Sequence, residues 1–193
     1  MPTDPPYDRP TADDLAAARD RQIEDWLRPE LDVLFCGINP GLYSAAVGLP
    51  FANPGTRYWK AMYEAGFTDR VLGPWEREAF LDAGLGMTNV VRRATARADE
   101  LTPEEIVEGG RRLVETAEAY RPRWVAVLGL GAYRTAFADR GATTGPLEQR
   151  IGPARTWLLP NPSGLNAHHT VVTLGAAYAE LRVAAGLPDR RGA

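Results

Sequence analysis

The stretch Leu31 to Leu42, LDVLFCGINPGL, decides the fold. Its apolar run from Val33 to Ile38 predicts a short strand buried on both faces, as in parallel sheets. The run stops at Asn39-Pro40-Gly41. Pro40 has no N–H to give to a ladder, and Gly41 admits backbone angles and close approaches that a side chain forbids. A polar amide, Asn39, therefore stands at the carboxyl end of a central strand, where open α/β sheets hold their ligands. Asn, Pro and Gly are also ordinary turn residues, so on this stretch alone a ligand loop and a plain turn stand level.

Outward from this strand the chain alternates helices and strands. Met1 to Pro10 holds four prolines and is expected to be a loose tail. Thr11 with Asp14 has the pattern of a capping box, and Ile23, Trp26 and Leu27 form a stripe. Together they predict a helix from Ala12 to Leu27 that ends before Pro29. Thr56 can cap a helix running to Ala65, and Pro74-Trp75-Glu76 opens a short one to Asp82. Gly86 to Val91 reads as a second strand. Thr102-Pro103-Glu104-Glu105 starts a helix with Ile106, Gly110, Leu113 and Ala117 on one face, Gly110 letting it lie close on the sheet. Trp124 to Leu130 and Thr156 to Pro160 complete the strands. Thr170 caps a last helix through Leu174, Tyr178, Leu181 and Ala185, stopped by Gly186 and Pro188. This alternation predicts an α/β fold, a three-layer α/β/α sandwich around a mostly parallel sheet. The expected division is a tail at 1–11, one domain at 12–186 and a second tail at 187–193. A length of 193 residues, 45% of them hydrophobic, suits one full-sized core.

Composition narrows the function. The chain has no apolar run long enough for a membrane span and no signal peptide, so a cytoplasmic location is expected. The single cysteine, Cys36, falls inside the apolar strand as core filler and rules out an internal disulfide or a four-cysteine iron–sulfur cluster. His168 and His169 are the only histidines; being adjacent and without a Cys or acidic cluster, they do not make a metal site. Gly129-Leu130-Gly131 mimics a dinucleotide fingerprint but lacks its third glycine, and two glycines at a tight strand-to-helix turn account for it. No cofactor is expected. A net charge of −3 argues against a generally basic nucleic-acid binder, so any DNA site is a local patch.

GINPGL, followed by LPFANPGTRYW from Leu49 to Trp59, with Asn161-Pro162-Ser163-Gly164-Leu165 about 120 residues beyond the first signature, resembles the mismatch-specific uracil (thymine) DNA glycosylases of the uracil-DNA glycosylase superfamily. The resemblance runs from about Leu31 to Leu181 and includes the Thr88-Asn89-Val90-Val91 segment. It implies that Asn39 orients a water and that Phe51 stacks on a flipped base. Ile38 and Gly41 would bring backbone to the pyrimidine edge, Ser44 would line the face near C5, and Asn161 would support the base or the water. Ser163, Gly164, Leu165 and Asn166 would act on the DNA, Leu165 filling the vacated stack. Arg92 and Arg93 would together hold phosphates, although each alone reads rather as a solvated surface charge. Some relatives carry an arginine shortly after the leucine; here the chain reads Asn166-Ala167-His168-His169.

The chemistry of these residue types agrees. Neither signature contains a carboxylate, and an amide is too weak a base for anything but orienting water. That suffices when the leaving group is good, as uracil is once backbone N–H groups hold its carbonyl oxygens. Lys60 is the only lysine, in a helical segment with no sign of a desolvating pocket, so Schiff-base strand cutting is not expected. The expectation is a monofunctional, monomeric hydrolase removing uracil, with thymine and etheno-cytosine as candidate further substrates, from mispairs with guanine in double-stranded DNA. Two alternatives stay open: a relative acting on single-stranded uracil or another deaminated base, and a mismatch-binding protein that does not cut.

Overall fold

The computed structural model describes residues 5–164 and 169–192. Its strands are β1 (Val33–Gly37), β2 (Leu85–Asn89), β3 (Trp124–Leu128), β4 (Gly145–Ile151) and β5 (Ala154–Leu159), in the sheet order β2-β1-β3-β5-β4. Four strands are parallel; β4 alone runs antiparallel, as a hairpin partner of β5. Its exposed residues carry no apolar alternation, so the sequence offers little sign of it. The helices are α1 (Ala12–Ala17), α2 (Leu42–Val47), α3 (Tyr58–Glu64), α4 (Arg77–Asp82), α5 (Pro103–Tyr120), α6 (Leu130–Ala136) and α7 (Val171–Ala184).

Period-two alternation along β1 shows how the three layers are filled. Val33 and Phe35 face a core closed by α3, α4 and α7, where Phe35 meets Tyr58, Phe67 and Phe80. Leu34 and Cys36 face the other core with Leu113, Val125, Val127 and Tyr133 from the α5 and α6 side. α5 and α7 start as the sequence predicts, each with a complete capping box, at Thr102 and Thr170. In α5 the close approach falls one residue before the expected one. A Cβ on Gly109 would lie 2.1 Å from the Val90 carbonyl oxygen, whereas Gly110 faces Ala136 of α6.

The first helix is far shorter than expected. α1 keeps its capping box at Thr11 but stops at Ala17, and Asp20 turns the chain with a left-handed φ of 63°. Residues beyond it run extended because the edge of β2 offers a better partner. Trp26 and Met87 exchange backbone hydrogen bonds of 2.8 and 2.9 Å, burying Trp26 against Trp59 and Phe80. Tertiary pairing thus overrides a helical stripe whose members Ile23, Trp26 and Leu27 go to different places. The C-terminal segment beyond α7 has partners in the domain. Leu187 packs on the core, Arg190 donates its N–H to Gly66 O at 3.0 Å, and Arg191 donates to Glu64 O at 2.8 Å. Among the described residues no helix is long and apolar enough to cross a membrane.

The chain leaves β1 for β2 on one side and returns to β3 on the other, so the loops after β1 and β3 diverge. That is the topological switch point, where such sheets open a crevice. Asn39 follows β1, and Asn161 follows β5 two strands away, at the same carboxyl edge.

Candidate active site

Asn39 is half-buried, and its orientation is fixed by chemistry as well as by space. The β1–β2 pairing continues beyond both strands, Val90 and Val91 donating to Gly37 O and Ile38 O, and Thr95 then donates its N–H to Pro40 O at 3.2 Å. This lays residues 93–95 beside Asn39. Its Nδ2 donates to Arg93 O at 3.1 Å and to Thr95 Oγ1 at 2.7 Å. Thr95 gives its own proton to Arg97 O at 2.7 Å, so its oxygen can only accept from Asn39. Two acceptors on one side leave the amide a single orientation. Nδ2 faces the protein, and Oδ1, which accepts no hydrogen bond among the described residues, is presented as a fixed acceptor. Thr95 was not foreseen from sequence, where it sits in an arginine-rich run that reads as phosphate-binding.

Beside Gly37, at the end of β1 that leads into Asn39, lie groups from other parts of the chain. Phe51 adopts a left-handed φ of 47°, and its ring stacks on Tyr58 with centroids 4.2 Å apart and planes at 10°. A bulky residue held there is strained, and the surrounding contacts maintain it: Trp59 donates to Phe51 O at 3.1 Å, and Ser44 Oγ accepts the Ala52 N–H at 3.1 Å. Ser44 is therefore buried and braces the Phe51 loop from behind. Asn89 ends β2 in register with Gly37. A Cβ on Gly37 would lie 2.6 Å from Asn89 Oδ1 and 3.5 Å from the Phe51 ring. The half-buried Asn89 amide has no hydrogen-bond partner among the described residues, so both its donor and its acceptor are available; from sequence Asn89 belongs to the second strand and to the resembling Thr88–Val91 segment, with no role of its own. Ile38 packs beside Gly129 at the end of β3. Gly41 has ordinary backbone angles, φ −76° and ψ 160°, and a Cβ added to it would meet nothing within 4 Å. The fold does not require glycine there, and the space before it is open.

The second signature is strapped to the Phe51 loop. Arg57 donates its backbone N–H to Pro162 O at 3.1 Å and its guanidinium to Ser163 O and Gly164 O. Gly164 lies so close to Gly55 that a Cβ would come within 2.4 Å of the Gly55 oxygen. Asn161 accepts the Ser163 N–H through Oδ1 at 2.9 Å, closing the turn. The expected wedge Leu165 and its neighbour Asn166 lie outside the described residues, as does His168.

Arg92 and Arg93, the expected phosphate contacts, each pair with carboxylates of the chain. Arg92 pairs with Asp25 at 3.0 Å. Arg93 binds both oxygens of Glu105, Asp20 at 3.1 Å and Glu100 O. These carboxylates are where the negative charges near the loop go. The Arg93 guanidinium and the Thr102 N–H hold the Glu105 carboxyl down at about 2, so it stays ionised and cannot act as an acid. Burial pushes the Cys36 thiol far up, which excludes it as a nucleophile. Lys60 is exposed on α3 between the buried Trp59 and Ala61. What the crevice offers, among the described residues, is an oriented amide oxygen, a second amide without a partner, an aromatic ring and open backbone.

The family model of the Uracil DNA glycosylase superfamily matches residues 24–182, which include every element from β1 to β5 and nearly all of α7.

Proposed function

From the chain's membership of the uracil DNA glycosylase superfamily, whose members are DNA glycosylases, we propose that it is a monofunctional hydrolase that removes uracil from mispairs with guanine. The observation that carries the proposal is the locked Asn39 amide, whose Oδ1 accepts one proton of a water and aims its lone pair at the sugar C1′. In the reaction the C1′–N1 bond breaks, uracil departs as the N1 anion, and the water oxygen bonds to C1′ as positive charge builds on the sugar. The leaving anion takes up the proton the water loses. Orientation without strong base catalysis suits a bond that is already dissociating.

Recognition of the base follows from the remaining groups. The Phe51 ring has one face on Tyr58 and offers the other to a flipped pyrimidine. The Asn89 amide can accept from N3–H and donate to O4, the donor–acceptor pair that uracil and thymine both present. Backbone at Ile38 and Gly41 would meet the pyrimidine edge, the space before Gly41 being open. Leu165 would fill the vacated stack, and a G·U wobble opens more readily than a Watson–Crick pair, which favours mismatches. Arginine-strapped Ser163 and Gly164 would present this segment to the duplex. With Lys60 as the only side-chain amine, exposed on α3, strand cutting by Schiff base has no support.

A duplex with one central G·U pair, compared with A·U, G·T and single-stranded uracil, tests this when incubated with EDTA and scored before and after alkali. Cleavage only after alkali and strongest for G·U is expected. Replacing Asn39 by Ala should slow base release by about a hundredfold or more while binding persists. Unchanged release by that variant sinks the role of Asn39, and equal cutting of single strands sinks the mismatch preference.

A further inference from the structure

Residues 18–21 precede the matched family stretch, yet they contact the loop that holds Asn39. Ala94 lies between the two residues that fix the amide, and it points the opposite way. While Arg93 O and Thr95 Oγ1 accept from Asn39, the Ala94 backbone pairs outward: Asp20 donates its N–H to Ala94 O at 3.0 Å, and Ala94 donates to Arg21 O at 2.9 Å. The Asp20 carboxylate also reaches Arg93 Nη1 at 3.1 Å, and Arg19 binds Glu100 at 2.6 Å. Beneath them Ala18, Ala45 of α2 and Ala94 form a small separate core, with Ile23, Leu42 and Ala46 against it. The left-handed φ of 63° at Asp20 makes the double pairing reachable, because it reverses the chain directly after α1.

We propose that this N-terminal arm, centred on Asp20, is a positioning element for Asn39: it clamps residues 93–95 from behind, so that Arg93 O and Thr95 Oγ1 stay where the amide needs them. The proposal rests on the reading of Asn39 as the group that holds water. It adds that a segment outside the common family region sets the rate. The device is backbone geometry, since the Asp20 side chain is 63% exposed and its ion pair with Arg93 is screened by solvent.

The test uses full-length Asp20→Val, whose branched side chain resists the left-handed turn, beside Asp20→Gly, which adopts it freely without the carboxylate. In a 15N-labelled protein the Asn39 side-chain amide signals are assigned by their loss in Asn39→Asp. Their solvent exchange should quicken about tenfold in Asp20→Val and return to the original rate in Asp20→Gly. Single-turnover release of uracil from the G·U duplex should fall about tenfold and recover in the same order, with duplex affinity changed less than about twofold. An Asn39 amide that exchanges at the original rate in Asp20→Val overturns the proposal, whatever the activity, as does a variant that melts earlier but keeps amide exchange and release rate. Should the unaltered protein release no uracil, the glycosylase reading fails while the exchange data still decide the arm. If Asp20→Val does not fold, Asp20→Ala, with its milder left-handed penalty, takes its place with the same criteria.

Discussion

Thr95 is 1% exposed, and its hydroxyl joins Asn39 to Arg97 O, so its methyl and oxygen act separately. Thr95→Val keeps the shape but leaves the Asn39 Nδ2 with one acceptor, Arg93 O, instead of two, so the amide is held less firmly. Single-turnover base release should drop about tenfold with duplex affinity nearly unchanged, because orientation rather than binding is lost. An equal loss in affinity would show that Thr95 shapes the pocket itself. Part of this scale was legible in sequence: Asn39 at a strand end follows from residue type and position, whereas Gly41, expected for its backbone freedom, has ordinary angles and open space around it. Thr95 and Asn89 were not, because their importance comes from register. Asn89 lies opposite Gly37 only because β1 and β2 pair in parallel, and no local pattern records that.

At the level of elements, α5 and β2 are locked together by the contact of Gly109 with the Val90 carbonyl, which also accepts from Arg112. A methyl group added at Gly109 has no flexible side chain to push aside, only backbone. Gly109→Ala should therefore cost about 3 kcal/mol, against about 1 kcal/mol gained from helix propensity, and the midpoint of urea unfolding should fall accordingly. Gly131→Ala in α6, which meets nothing within 4 Å, is the matched control: without a clash it should raise the midpoint slightly, by no more than the roughly 1 kcal/mol of helix propensity. The strands and capped helices could be read locally because capping and apolar runs are local signals. The extended run through Trp26 and the antiparallel β4 could not, since each is decided by a partner far away in the chain: Met87 for one, β5 for the other.

For the molecule as a whole, acid should act through the arginine–carboxylate pairs that tie the N-terminal arm and α5 to the site. Glu105 titrates at about 2 in the folded chain, below the ordinary 4.5. A depressed carboxyl contributes stability in full above its unfolded value and loses it as pH falls through the folded one. The advantage of the native chain over Glu105→Gln in urea midpoint should therefore shrink between about pH 4.5 and pH 2 and vanish below. A gap that stays constant over that range would show that the pair adds nothing beyond its hydrogen bonds. Cys36 adds a different handle. It is the chain's single thiol, fully buried, with Thr88 of β2 and Val127 of β3 paired on either side. Fraying of the termini or surface loops leaves it covered, so a soluble thiol reagent reaches it only when the middle of the sheet comes apart. Its labelling rate thus times the rarest opening of the molecule, without any added probe.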